Sequence, residues 1–184
     1  MPFFLIMSPF VTFAALSCVT SLTVSLVAAA AAAAALTLTD YLRGASIKLL
    51  SVGPMLMFTG LACYFVFTGE AWSIRHIHLA LDSGVLTIAL VSIALGRPFT
   101  LQYARERVDE ATTREAGFLR VNYLLSWVWA GAMSLVMAAD MLVIYTPWFP
   151  LWAGVAVAFV TPNSAVRFSK WYPRHLYPDE AAAQ

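Results

Sequence analysis

Apolar and polar positions in this chain fall into long blocks. Residues 1–39 hold no charged side chain. One helix of that length would run about 58 Å, roughly twice the hydrocarbon thickness of a bilayer. The block is therefore read as two spans, 3–18 and 20–39, broken at the polar cluster Ser17-Cys18-Val19-Thr20-Ser21. A short polar link with Arg43 and Lys48 leads to a third uncharged block, 49–68, with Pro54 near its start. Gly69-Glu70-Ala71-Trp72 reads as a tight turn, followed by a fourth span over 73–95. A polar stretch, 96–117, separates this from a fifth span, 118–145. The uncharged turn Thr146-Pro147-Trp148-Phe149-Pro150 and a sixth span, 150–168, come next, then a polar tail, 169–184, expected to fray at its end.

The polar stretch has an order of its own. Pro98 is placed to be a first helical residue, where its missing N–H costs nothing. Leu101, Ala104, Val108 and Ala111 recur at helical spacing opposite Arg105, Glu106 and Asp109, which predicts a short amphipathic helix on the membrane surface. Thr112-Thr113-Arg114-Glu115 matches a capping box that would open the fifth span. The expected fold is an all-α, polytopic transmembrane bundle of about six spans in one domain, with this cytoplasmic helix after the fourth.

Composition agrees. The chain is 61% hydrophobic and 11% charged, against about 45–50% and 25% for a soluble domain. Eight consecutive alanines, Ala28–Ala35, would allow close helix–helix approach in lipid, or serve only as an alanine-rich helix. The net charge of +1, without a clustered basic face, argues against a nucleic-acid partner. The two cysteines, Cys18 and Cys63, lie inside apolar runs and read as small buried hydrophobes.

Charge then sets the orientation. Of the eleven Lys and Arg residues, the link 40–48 holds two, the stretch 96–120 five (Arg97, Arg105, Arg107, Arg114, Arg120) and the end from Arg167 three. The intervening loops hold Arg75 alone. On alternating loops this bias puts the basic ones, and with six spans both termini, in the cytoplasm. Trp72, Trp148 and Trp152 would form an outer aromatic belt, and Tyr41, Trp171 and Tyr172 an inner one. The N-terminal run lacks the basic start of a signal peptide, and its removal would leave Arg43 and Lys48 outside, so it is expected to be retained.

Two carboxylates fall inside apolar spans, where a charge costs at least ~2.5–3.5 kcal/mol on insertion scales. Asp82 lies about 15 Å past Trp72, and Asp140 about 8 Å from the outer end of the fifth span. Arg75, His78 and Asp82 share one helix face. His78–Asp82 and Arg75–Asp140 are read as structural pairs, with an ion or proton site as the functional alternative. A protonated Asp is a further reading of either carboxylate. His76 and His78 point about 200° apart on a helix and cannot share a metal ion. His175 falls on the other side of the membrane, so no haem or metal site is expected. No HExxH, CxxC or GxSxG motif and no phosphate-binding glycine loop occurs.

The order of these parts resembles the intracellular septation protein A family of small bacterial inner-membrane proteins. The likeness rests on the uncharged double span and short basic link, the helix start Trp72-Ser73-Ile74-Arg75, and the exit Arg97-Pro98-Phe99. It continues through the amphipathic stretch, the opening Leu119-Arg120-Val121-Asn122, and the end from Arg167 through Trp171-Tyr172-Pro173. The long 96–120 stretch and Asp82 depart from that pattern. The resemblance implies a non-enzymatic scaffold or interaction protein of the bacterial inner membrane, linked with envelope integrity and septation, without cofactor, acting through membrane lipids, other membrane proteins or self-association. Two other classes fit the residues: an accessory subunit of a larger energy-transducing or photosynthetic complex, and a small transporter using Asp82 and Asp140.

Overall fold

The computed structural model describes residues 3–43, 49–69, 72–105, 108 and 110–176, the side chains of residues 3–7, 50 and 110 excepted. Among the described residues the chain is helical, with no strand. The helices are α1 (Phe3–Ser17), α2 (Leu22–Leu42), α3 (Leu49–Thr68), α4 (Ile74–Ala94), α5 (Phe99–Ala104), α6 (Glu110–Thr113), α7 (Ala116–Tyr145) and α8 (Leu151–Leu176). Four are long and apolar enough to cross a membrane: α2, α3 over Ser51–Thr68, α4 and α7. In α1, whose side chains are described from Ser8, the stretch Ser8–Ser17 is apolar. The 26 residues of α8 include Arg167, Lys170 and Arg174, which dilute its apolar character. This is a membrane-compatible helical fold.

The chain divides into two compact units, Met1–Ile88 and Ala89–Gln184, with the division inside α4. In the first unit, the polar cluster ends α1 and starts α2. Ser21 caps α2 by accepting from Val24 N at 3.4 Å, and Ser25 Oγ donates back to Ser21 O at 3.0 Å. The core holds Phe13 of α1, Leu26 and Ala29 of α2, Phe58, Ala62 and Phe65 of α3, and Ile77 and Leu81 of α4. Phe58 takes Phe10 edge-on at 5.3 Å and Phe13 at 5.8 Å. Aromatic rings favour such tilted contacts because positive edges meet negative faces. Pro54 lies inside α3 without ending it. Small residues set the spacing: Ala29 and Ala33 are completely buried, and a Cβ on Gly84 would collide with the end of Met57.

In the second unit α4 ends in a Schellman turn. Gly96 has φ +70°, its N–H bonds Ile93 O at 3.0 Å, and Arg97 N bonds Ser92 O at 3.0 Å. That conformation suits glycine. Pro98 is the N-cap of α5, with φ −54° and ψ 136°, rather than its first helical residue. The single amphipathic helix expected here is two short ones, α5 and α6. Phe99 and Leu101 are buried, so α5 is docked on the protein by its apolar side. The cap of α7 is Glu115, with no side-chain capping bond, whereas Thr112 lies inside α6. The capping-box reading fails because residues 110–113 form a helical turn of their own. Finally, α8 runs to Leu176, so the first part of the tail continues the helix, and the end of the tail, which was expected to fray, lies outside the described residues.

Candidate functional site

The residues singled out for chemistry fall in both units. In the first unit, Asp82 is half-buried on α4 and His78 is exposed one turn before it. The His78 ring lies 5.7 Å from that of Phe13. Arg75 is exposed in the first turn of α4, and just before that helix Ser73 Oγ meets His76 Nδ1 at 2.7 Å. Asp140 lies on α7 in the second unit, whereas Arg75 lies in the first. Asp140 is half-buried and its Oδ2 is fully enclosed with no hydrogen-bond partner.

Asp40 is a site that sequence reading passed over. Taken as the first residue of a polar link, it is in fact inside α2 and 4% exposed, with Oδ2 enclosed and unpartnered. Its helical angle gives the signal: Ser25, Leu26, Ala29, Ala33 and Asp40 fall on one side of α2, and all are buried. Near it, Thr37 Oγ1 bonds Ala33 O at 2.9 Å and Ser51 O of α3 at 3.2 Å. A carboxylate oxygen without a donor in a dry setting is costly, by about 1–3 kcal/mol or more.

The basic stretch after α4 becomes a docked element. Arg97 is exposed, Pro98 is fully buried and Arg105, the C-cap of α5, is exposed. Arg107 lies outside the described residues. The docking uses hydroxyls. Ser92 Oγ donates to Ala89 O at 2.6 Å and accepts from Phe99 N at 3.2 Å. Thr100 Oγ1 donates to Asn122 O and meets Ser126 Oγ, both at 2.7 Å. In α7, Asn122, Ser126 and Ala130 form one buried stripe. Asp140 lies about five turns beyond Asn122 on the same side. On the adjacent face, Trp129 Nε1 donates to Ser169 Oγ of α8 at 3.0 Å.

The far end of α8 gathers cations and rings. Arg167, Lys170, Trp171, Arg174 and His175 line one open groove, at helical positions that share a face. Trp171 and His175 stack at 5.1 Å and 15°, and Phe168 and Tyr172 at 5.2 Å and 16°.

Among the described residues, no three His, Cys, Asp or Glu side chains are grouped to hold a metal ion. Cys18 and Cys63, read as buried, are both exposed and free of a disulfide, Cys63 on α3 and Cys18 in the turn after α1, where its Sγ donates to Ala14 O at 3.4 Å. In a membrane setting such exposure is to lipid, which a thiol tolerates. Comparison with models of protein families, with curated proteins and with solved structures finds no match to this chain.

Proposed function

We propose that this protein is a multi-pass, non-enzymatic protein of the bacterial inner membrane that works by contact with other membrane proteins. The observation that carries the reading is the outer face of α2. Val24, Val27, Ala31, Ala34, Ala35 and Leu38 are all exposed and fall within about 100° of the helix circumference. The opposite face carries the packing inside the unit. A run of small residues with branched flanks lets a second helix approach closely, and in lipid such packing is what drives association. The likeness in order of parts to the septation protein A family supports the same reading and adds the envelope as its setting. The alternating basic loops support six crossings with both termini in the cytoplasm.

The test is extraction from native membranes in mild detergent, with assembly size read on blue-native gels. Wild-type protein is expected in a stoichiometric assembly, and Ala31→Leu/Ala35→Leu is expected to release it. A wild-type chain that runs as a lone monomer overturns the proposal. Pigment- or haem-bearing companions in that assembly would favour an accessory subunit of an energy-transducing complex.

A second reading, a small ion or solute transporter, has its own observation: Asp40 and Asp140 each keep an enclosed carboxylate oxygen without a donor. Asp82 would join them on that reading. Flux in proteoliposomes that disappears with Asp140→Asn or Asp82→Asn would establish it.

A further inference from the structure

We propose that the C-terminal end of α8 is a binding site for anionic phospholipid headgroups. This goes beyond the proposed role in protein contact and shares with it only the membrane setting.

Four observations carry it. The first is depth. From Leu151 to Val166 the helix has no charged residue, and at 1.5 Å per residue Arg167 lies about 24 Å along the axis and Arg174 about 35 Å. A helix entering at Leu151 therefore presents Lys170 through His175 at the opposite headgroup layer, since the hydrocarbon is about 30 Å thick, and the long side chain of Arg167 reaches it from about 6 Å below. The second is the clustering of charge. Arg167, Lys170 and Arg174 fall on one face and line one groove together with Trp171 and His175. The three cations and His175 are exposed. None of the three cations is neutralised by an acidic residue within this described stretch of α8, whose sequence from Leu151 to Leu176 contains neither Asp nor Glu.

The third is the rings. Trp171 is 55% exposed yet held flat against His175, at 15° between planes. An indole fixed beside cations at this depth is the arrangement that suits the boundary between acyl chains and headgroups. Arginine adds donors in a planar fork that matches two phosphate oxygens, and lysine adds a point charge. The fourth is room. The groove measures about 440 Å³ and is shallow and largely open, so it can admit a headgroup whose chains stay in the bilayer. The complementary partner of such a face is a phosphodiester carrying a net negative charge, as in phosphatidylglycerol. Zwitterionic phosphatidylcholine has the same phosphate but no net charge.

The test uses the full-length protein in nonionic detergent and native mass spectrometry. Phosphatidylglycerol and phosphatidylcholine of matched chains are added at equal concentration, and bound lipids are counted. Wild-type protein is expected to retain phosphatidylglycerol at least about tenfold better, with the preference falling as salt rises, since each cation near the surface contributes to anionic-lipid binding and the attraction is screened. Arg167→Gln/Lys170→Gln/Arg174→Gln is expected to abolish the preference. Arg43→Gln/Arg97→Gln/Arg120→Gln removes as many cations elsewhere and is expected to keep it. The salt series on wild-type protein decides the matter even if a variant does not fold. Equal retention of both lipids, a preference indifferent to salt, or a preference that survives the α8 triple variant overturns the proposal. So does displacement of the lipid by inorganic phosphate at equal concentration, which would make the groove a site for a free anion.

Discussion

Ser126 Oγ lies 2.7 Å from Thr100 Oγ1, across 26 residues of sequence. Thr100 spends its one proton on Asn122 O, also at 2.7 Å, so the Ser126 hydroxyl must be the donor to Thr100. One threonine side chain thus holds the six-residue helix α5 on α7. Burial of Pro98, Phe99 and Leu101 and the Ser92 contact add to this docking.

Thr100→Val keeps the shape and removes both bonds. Hydrogen bonds between helices in membranes average about 0.6 kcal/mol and reach about 1.7 kcal/mol, so a loss of about 1–2 kcal/mol is expected. Ser126→Ala leaves the bond to Asn122 O in place and should cost about half as much. Unfolding in detergent, followed by circular dichroism, measures both. Equal effects from the two variants would refute the donor assignment.

Gly84 faces Met57 across the α3–α4 contact, with no space for a side chain. The obstructing atoms are the flexible end of a methionine, which can move aside. Gly84→Ala is therefore expected to cost less than about 1 kcal/mol, and Gly84→Leu about 1–3 kcal/mol by overpacking. Thermal stability of the two variants, side by side, checks the difference.

Gly96 ends α4 at φ +70°. Space is not the constraint, because an added Cβ would meet Tyr123 Oη at an ordinary 3.5 Å. Backbone strain alone should make Gly96→Ala destabilising by about 1 kcal/mol. Gly96→Asn should cost less, since asparagine tolerates the left-handed region. The order wild type, Asn, Ala in midpoint temperature is the expected outcome.

Asp140 keeps an enclosed oxygen with no donor. Replacing such a group by an apolar one of similar size removes a desolvation cost. Asp140→Leu is expected to match or exceed wild type in stability, by up to about 1–3 kcal/mol. A large loss of stability would show that the carboxylate is structural.

Six crossings have a direct check. Alkaline phosphatase fused after Gly69 or Trp148 is expected to be active, and green fluorescent protein fused after Arg105 or at the C-terminus is expected to fluoresce. A fusion at Val19 decides whether α1 crosses: phosphatase activity there means that it does.

Much of the architecture was legible in the chain because lipid simplifies the code. In a bilayer the backbone must satisfy itself within each span, so length without charge marks a helix. The block 49–68 became α3 at Leu49–Thr68, and the blocks around residues 73–95 and 118–145 became α4 and α7. The polar cluster at Ser17–Ser21 signalled the break between α1 and α2 by supplying hydroxyls for the ends of both. Periodicity failed where contacts between distant residues decide. Leu101, Ala104 and Val108 suggested one surface helix, but Phe99, Leu101 and Thr100 are drawn into α7 by burial and by two hydroxyl contacts. Asp40 looked like a loop residue because its charge was read without its helical angle. It lies on the side of α2 that is buried in the fold. The cations of α8 gave the polarity of its end, whereas the continuation of the helix to Leu176 put the three charges on one face and set Trp171 on His175 and Phe168 on Tyr172. Spans and polarity follow from local hydropathy and charge, which a single chain displays directly. Docking, enclosure and clustering depend on which faces meet, and only the folded structure brings those faces together.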